Sequence, residues 1–223
     1  MDNNSVNLKN DAYEYLRALL LDCEIKPGED INEKQIVEKS GFSRTPIREA
    51  LILLQSENLV EVIPRKGTYA KRIDINGVME LFELRKLIEP ALAVKFRSNM
   101  DFTQMIKLDT ELKYICDNPD TTTIQDFYRT DIAFHSFVIN SSKNERIIKM
   151  FLPVMQEAYR IGINNTFTNT EHSRNETYVD HHRIIRSILS ESDADICKAY
   201  LYHLNNSMIS ALDTIKLTAT RQD

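Results

Sequence analysis

Residues 31–67 carry the pattern that most narrows the folds open to this chain of 223 residues. Two short stretches with a helical spacing of apolar residues meet at Gly41, and a strand-like pattern follows them. The second stretch gives an α-helix one apolar face, made by Ile47, Ala50, Leu51 and Leu54. Two helices joined by a tight turn are therefore predicted here, followed by a β-hairpin.

The second helix is expected to begin just after Ser43. A serine hydroxyl can accept a hydrogen bond from an unpaired N–H of the first turn, and Pro46 is tolerated there because first-turn N–H groups have no helical partner. Arg44 and Arg48 lie one turn apart on a different face from the apolar one, with Thr45 beside Arg44. An arginine can donate two hydrogen bonds to guanine, and a helix fits the major groove of DNA. The pattern favours a recognition helix, although most arginine pairs of this kind are solvated surface charges.

The residues that follow favour the DNA-binding interpretation. Residues 59–63 and 68–73 are typical of two β-strands, and the sequence PRKG at 64–67 lies between them. A helix-turn-helix followed by such a hairpin is a winged helix. The tip of the wing would carry Arg65 and Lys66 to the phosphate backbone or the minor groove.

The motifs GFSRTPIREAL and LQSENLVEVIPRKGTYA, with LLLDCEIKPGEDINEKQIVEKSG upstream, resemble the GntR family of winged-helix transcription regulators. The resemblance implies that Arg44 and Arg48 read bases, that Thr45 contacts a phosphate or a base, and that Gly67 forms the wing tip. Lys34 stands where many members have a DNA-contacting arginine, and lysine offers a point charge rather than a planar fork. The expected DNA-binding residues are Lys34, Ser43, Arg44, Thr45, Arg48, Arg65, Lys66 and Gly67.

The charge balance shows how DNA affinity would have to arise. The formal net charge is −5 at pH 7, and residues 1–73 contain 11 Lys and Arg against 12 Asp and Glu. Affinity for phosphates must therefore come from the local placement of basic groups rather than from net charge.

Cysteine use and hydropathy bear on the compartment. The three cysteines are scattered and form no C-x-x-C pair, which fits a reducing cytoplasm better than a disulfide framework. No apolar stretch is long enough for a signal peptide or a membrane span. A cytoplasmic location and no membrane partner are therefore expected.

The second part of the chain changes character, because only stretches with a period of 3.6 residues follow Gly77. We expect a DNA-binding domain at 1–73, a polar linker at 74–77 and a helical domain at 78–223. Helices are predicted at 13–21 and 32–40 in the first domain, and at 78–98, 102–116, 124–140, 144–164, 174–189 and 194–217 in the second. Pro90 and Pro153 should kink or break two of these helices.

Short loops between amphipathic helices predict an antiparallel bundle. The predicted fold class is therefore mainly α, with an N-terminal winged helix-turn-helix and a C-terminal bundle of about six helices.

A carboxylate and an imidazole share one face of a predicted bundle helix. Asp131 and His135 are four residues apart, and Phe127, Phe134 and Val138 lie on or near the same face. This face should point inward, where an unpaired buried charge is costly. Both polar side chains therefore need partners from other helices.

Two later helices each offer a histidine. His181 shares its face with three isoleucines, whereas His182 has Arg186 beside two apolar residues, so His181 should point inward. His203 lines up with apolar positions of the last helix. Three imidazoles and one carboxylate would suit Zn²⁺, Ni²⁺ or a similar ion, although buried histidines are more often satisfied by a carbonyl or a hydroxyl.

The motifs DIAFH, DHHRIIRSI and AYLYHL resemble the ligand-binding C-terminal domain of the FadR-like branch of the GntR family. Many such domains hold a divalent metal through one Asp and three His, which implies the ligands Asp131, His135, His181 and His203. The motif ELRKLIE resembles a signature of the first helix of that domain. This resemblance brings Arg85 toward the pocket.

Together the two resemblances imply a homodimeric regulator of operator DNA, with Zn²⁺ as the expected ion and Ni²⁺ as an alternative. Open coordination positions and Arg85 would hold a small organic or sugar acid as effector, and we expect a repressor that the effector releases. Arg85 and Glu89 could instead form a structural salt bridge. A metal-dependent enzyme, in which the Asp/His set activates water, and a direct metal sensor are the alternative functions.

Overall fold

The computed structural model describes residues 3–165, 172–190 and 192–219. The chain divides into two compact units, Met1–Ile73 and Asp74–Asp223. The described part is mainly helical, as predicted, with a two-stranded sheet in the first unit and six α-helices in the second. No helix among the described residues is both long and apolar enough to cross a membrane.

The first unit is a helix-turn-helix with a wing. Its elements are α1 (Asn3–Leu21), α2 (Glu33–Ser40), α3 (Arg44–Ser56), β1 (Val60–Ile63) and β2 (Gly67–Ala70). Helix α1 begins ten residues before the predicted start of the first helix, and it packs on α3. The core of the unit includes Leu16 and Leu20 of α1 with Ile47, Ala50 and Leu54 of α3.

The ends of α2 follow from local hydrogen bonding. The side chain of Asn32 accepts hydrogen bonds from the backbone N–H groups of Lys34 and Gln35, at 3.1 and 3.2 Å, so Asn32 is the N-cap of α2. Gly41 ends the helix with φ +76°, a conformation that glycine adopts without a steric cost. The tight turn between α2 and α3 is thereby formed where the sequence predicts it.

Ser43 corrects one expectation. It occupies the N-cap position of α3, but its hydroxyl makes no capping hydrogen bond. A capping serine commonly accepts from the backbone of the third helical residue, and here that residue is Pro46, which has no N–H. The hydroxyl therefore remains on the exposed surface.

The wing is an antiparallel pair in which Val60 lies opposite Ala70 and Ile63 opposite Gly67. The backbone N–H of Lys66 donates to the carbonyl of Ile63 at 3.0 Å and closes the turn. Strand β2 ends at Ala70, so residues 71–73, which were predicted to be strand, lie outside it.

The second unit is a bundle of six helices joined by short connections. The helices are α4 (Ile75–Phe96), α5 (Phe102–Asp117), α6 (Ile124–Asn140), α7 (Glu145–Asn165), α8 (His172–Leu189) and α9 (Asp193–Ala219), with a 3₁₀ turn at Arg97–Asn99. Helix α4 packs mainly against α9, and α6 packs against α5, α7 and α4.

Polar caps set several helix starts in this bundle. Asp74 accepts from the backbone N–H of Gly77 at 2.9 Å, so residues 74–77, predicted as a linker, form the cap and first turn of α4. Thr123 and Asp126 form a reciprocal capping box at the start of α6. Pro90 and Pro153 lie inside α4 and α7, and neither proline breaks its helix.

The bundle core contains apolar clusters and a set of buried polar side chains. Leu92, Ile139, Phe151 and Met155 form one apolar cluster, and Leu112, Ile115 and Phe127 form another. The buried polar residues include Arg85, Glu89, Asp131, His135, His181 and His203. Such groups are costly to bury unless they are paired, so their partners decide what this part of the core can do.

Candidate metal centre and nucleic-acid interface

Three helices bring four candidate metal ligands together. Helix α6 supplies Asp131 and His135, α8 supplies His181 and α9 supplies His203, and one ligand atom from each lies within 4.8 Å of all the others. All four side chains are buried. The structure thus places in one cluster the four residues that the sequence singles out.

The four side chains of the cluster offer more hydrogen-bond acceptors than N–H donors. His135 Nε2 lies 3.2 Å from His203 Nε2, and this pair can share at most one proton. His181 Nε2 lies 2.9 Å from Asp131 Oδ1, but both ring nitrogens of His181 lack a well-aligned hydrogen bond among the described residues. Converging nitrogen and oxygen donors of this kind fit a borderline divalent cation such as Zn²⁺.

Glu89 of α4 orients one of these ligands. Its Oε2 lies 2.6 Å from His135 Nδ1, and its Oε1 accepts from Arg85 Nε at 2.6 Å. A carboxylate on Nδ1 holds the proton there and leaves Nε2 facing the cluster with its lone pair. The sequence indicates Glu89 only as an i,i+4 partner of Arg85, so its contact with His135 was missed.

The pKa values place charge where a cation would need it. Burial opposes ionisation of Glu89, but Arg85 and His135 outweigh it and lower its pKa to about 2. Burial also opposes ionisation of Asp131, and His181 outweighs it, so that the pKa of Asp131 falls below its usual value. Burial lowers the pKa values of His135 and His203. At neutral pH Asp131 is therefore a carboxylate and His135 and His203 are neutral imidazoles, the forms that bind metals.

A cavity of about 610 Å³ adjoins the cluster. Asp131, His203 and Arg85 line it, and Arg85 is 3% exposed. Arg85 Nη2 is buried and has no hydrogen-bond partner among the described residues. The guanidinium of this cavity-lining arginine is thus held by Glu89 through Nε, while its Nη2 has no partner among the described residues.

Helices α6 and α7 approach closely at another part of this cavity. Tyr128 and Gly162 both line it. A Cβ added at Gly162 would overlap the ring of Tyr128. The absent side chain therefore lets the tyrosine ring lie against α7.

The predicted DNA-binding residues all lie in the first unit. Arg44, Thr45 and Arg48 are exposed on the first two turns of α3, and Lys34 and Ser43 are exposed nearby in the chain. The remaining three form the wing tip: Arg65, Lys66 and Gly67.

The wing tip uses unusual backbone conformations. Arg65 has φ +65° and Gly67 has φ +141°. A Cβ added at Gly67 would lie 3.1 Å from Asp30 Oδ1. This position therefore favours glycine both by its φ value and by the available space, and the turn keeps Arg65 and Lys66 on the exposed edge of the wing.

Comparison with known proteins identifies both units. The profile "Bacterial regulatory proteins, gntR family" matches residues 8–70, and the profile "FCD domain" matches residues 80–206, more than half of the chain. The chain belongs to the GntR family. It is a transcription regulator with a C-terminal FCD domain rather than an enzyme, and its helix-turn-helix implies operator DNA as a partner.

Individual relatives of this GntR regulator agree with the assignment. The Nta operon transcriptional regulator of Aminobacter aminovorans is 26% identical over 197 residues, covering 87% of this chain and 90% of the relative. The transcriptional repressor RspR of Escherichia coli K12 is 29% identical over 126 residues, covering 56% and 55%. A GntR regulator structure from Rhodococcus sp. RHA1 has the same fold, with a TM-score of 0.78, 19% identity and coverage of 92% and 97%.

The family assignment allows the buried cluster to be compared with those of other FCD domains. An Asp/His₃ cluster in the core of an FCD domain is typical of members that bind a metal, and this GntR regulator has that cluster with all four side chains buried. The FCD domain is the effector-binding part of such regulators, which agrees with the cavity beside the cluster.

Proposed function

We propose that this regulator is a homodimeric repressor whose operator affinity responds to a small organic or sugar acid bound in the FCD cavity. One observation carries the proposal: Asp131 and His203 of the Asp/His₃ cluster line the same cavity of about 610 Å³ as Arg85, whose Nη2 has no hydrogen-bond partner among the described residues. A cation and a guanidinium beside one cavity are complementary to a carboxylate.

The metal would be held by Asp131, His135, His181 and His203, with Zn²⁺ as the preferred ion because nitrogen donors dominate the set. When bound, it supplies open coordination positions to a carboxylate oxygen. Asp131 contributes one negative charge to the site and the three neutral imidazoles contribute none. The net positive charge that remains attracts an anionic effector.

Arg85 would complete the binding of the effector's carboxylate. Its Nε is held by Glu89, so the orientation of the guanidinium is set before the effector arrives, and less side-chain entropy is lost on binding. Its remaining donors can then form charge-assisted hydrogen bonds to the acid.

At the DNA, Arg44 and Arg48 would read bases from the major groove, each bidentate contact contributing about 1–3 kcal/mol of discrimination. Lys34, Ser43, Thr45, Arg65 and Lys66 would contact the backbone or neighbouring bases. A two-fold dimer would place two such units on the half-sites of a near-palindromic operator.

Effector binding would change operator affinity by no more than the ratio of the acid's affinities for the two conformations of the regulator. Release of the operator is the expected sign. The name of the related RspR as a repressor supports this direction.

Native mass spectrometry of the purified chain, without chelator or added metal, tests the proposal. We expect a dimer with one divalent ion per chain, loss of the ion in His181→Ala, and its retention in His182→Ala. His182 is the matched control, because it is the next residue on α8 and bonds to Asp109 instead of the cluster.

A metal-free dimer that still binds operator DNA would contradict the metal-dependent pocket and leave the DNA-binding function intact. Operator binding that follows the metal concentration in the absence of any acid would instead identify the ion as the signal.

A further inference from the structure

An acidic side chain lies against one of the two proposed base-reading arginines. Glu33 is the first residue of α2, and its Oε2 accepts a hydrogen bond from Arg48 Nε at 2.9 Å. The two residues are 15 positions apart, so the contact joins the first turn of α2 to the second turn of α3. It is an interaction across the helix-turn-helix rather than a local pair within one helix.

The contact between Glu33 and Arg48 contributes little to the stability of the fold. The side chain of Arg48 is 64% exposed, and ion pairs between exposed side chains add little to the free energy of unfolding. A carboxylate beside a DNA-facing surface also repels phosphates and so opposes non-specific binding. The main effect of the contact is therefore on the position of the Arg48 guanidinium rather than on stability.

The contact uses one part of the guanidinium and leaves another part available. Arginine has five N–H donors in a planar fork, and Glu33 takes the one on Nε. No other hydrogen bond or ion pair engages Arg48 within the described part of the chain, so both terminal nitrogens remain for a partner. These two nitrogens can donate together to O6 and N7 of guanine.

Arg44 provides the contrast on the same helix. Arg44 is exposed, and no side chain among the described residues forms an ion pair with it. Arg48 thus has an ion-pair partner before DNA arrives, whereas Arg44 has none among the described residues.

We propose that Glu33 is a positioning residue that sets the base preference of Arg48, and that its charge lowers affinity for non-cognate DNA. The proposal rests on the proposed base-reading function of Arg48. Holding Nε reduces the side-chain freedom that Arg48 loses on binding guanine. The carboxylate weakens phosphate contacts on every sequence alike, so only the positioning of Arg48 increases the ratio of specific to non-specific affinity.

The test uses the full-length chain and two defined duplexes. One is the consensus that the wild-type protein selects from a pool of randomised 30-base-pair duplexes, and the other is a scrambled duplex of the same composition. Fluorescence anisotropy gives both affinities, and single-base-pair substitutions through the consensus give the preference at each position.

For Glu33→Ala we expect the consensus-to-scrambled ratio to fall roughly tenfold. The loss should be concentrated at the base pair whose preference Arg48→Ala also removes, and the scrambled duplex should bind as tightly as before or more tightly. In the Arg48→Ala background, Glu33→Ala should cause no further change at that base pair.

Two other variants separate charge from position. Glu33→Asp keeps the charge and the acidic first turn of α2 but shortens the reach by one methylene, so it should lose the base preference without gaining affinity for scrambled DNA. Glu49→Gln removes one negative charge from α3 itself, where Glu49 pairs with Lys9, and it should leave the base preference unchanged.

The outcomes distinguish this proposal from the function it rests on. A changed preference in Arg48→Ala with an unchanged one in Glu33→Ala and Glu33→Asp overturns the positioning function alone. An equal effect of Glu33→Ala with and without Arg48 also overturns it. An unchanged preference in Arg48→Ala overturns both the positioning function and the base-reading function.

Discussion

At the scale of single residues, His135 shows how a buried side chain acquires a defined chemical state. Its Nδ1 lies against Glu89 and its Nε2 faces His203 within the Asp/His₃ cluster. Because Glu89 is itself held by Arg85, the chain Arg85–Glu89–His135 connects the proposed carboxylate-binding guanidinium to a proposed metal ligand. One carboxylate thus orients the groups on both sides of it.

Replacing Glu89 should therefore weaken metal binding although Glu89 is not in the ligand set. We expect Glu89→Gln to lower the affinity for Zn²⁺ by about 10- to 100-fold, the usual effect of removing a carboxylate that orients a metal-bound histidine. Competition with a chromophoric chelator measures this affinity, and circular dichroism checks that the variant remains folded.

Glu83→Gln is the matched control, since Glu83 is an exposed acid on the same helix. Equal affinities of Glu89→Gln and Glu83→Gln for Zn²⁺ would show that Glu89 does not support the site.

At the scale of elements, close packing between α6 and α7 shapes the cavity. The ring of Tyr128 occupies the space that a side chain at position 162 would need. Protein interiors are packed so densely that one added methyl group destabilises the fold when no neighbouring atom can move. The two helices can therefore keep this spacing only with glycine at this position.

Gly162→Ala should destabilise the protein by about 1–3 kcal/mol, because Tyr128 must move or the helices must separate. Gly77→Ala is the control in the first turn of α4, where the added Cβ would meet Asp74 Oδ1 at an ordinary 3.6 Å. That change should be neutral or stabilise by up to about 1 kcal/mol, because alanine loses less backbone entropy on folding.

Urea unfolding measures both free energies of unfolding. Equal stabilities of the two variants would show that the contact between Gly162 and Tyr128 carries no steric constraint.

At the scale of the whole molecule, a chain with a net charge of −5 must bind DNA through a local basic surface. The wing tip presents Arg65 and Lys66 on its exposed edge. Contacts of this kind with phosphates hold the protein on DNA and carry no direct sequence information. They should differ from Arg48 in how they respond to salt and to sequence.

Arg65→Ala should weaken binding to the consensus and scrambled duplexes by similar factors. The slope of log K against log salt should become less steep by about 0.9 for each phosphate contact removed. Anisotropy titrations at several salt concentrations measure the slope.

Lys113→Ala removes the same charge from the FCD domain, where Lys113 pairs with Asp117, and it should leave the slope unchanged. A loss of sequence discrimination in Arg65→Ala would place this arginine at bases instead of phosphates.

Helical periodicity explains which features could be predicted. The spacing of apolar residues distinguishes the faces of a helix, and on that basis His181 was selected over His182 as the inward histidine. The structure confirms this choice, because His181 is 1% exposed and His182 is partly exposed. The two helices of the helix-turn-helix and the six bundle helices were predictable for the same reason, and the wing was predictable from its two strand-like stretches around the turn at residues 64–67.

Features that depend on more than one element were missed. One such feature is the contact of Glu89 with His135, which is 46 residues away in the sequence. Such contacts depend on how two helices pack, and the spacing of apolar residues along one helix does not determine which residues of another helix it will contact.

The amino-acid sequence by itself determined the element order, the inward faces of the helices and the motifs that identify the GntR family. These properties are encoded within windows of about one helix, where local spacing decides which side chains share a face. Only the tertiary structure decided that four ligand atoms converge within 4.8 Å, that Glu89 orients His135, and that Glu33 holds Arg48. Each of these contacts joins side chains from different helices, so it exists only once the packing of those helices has set their separation and register.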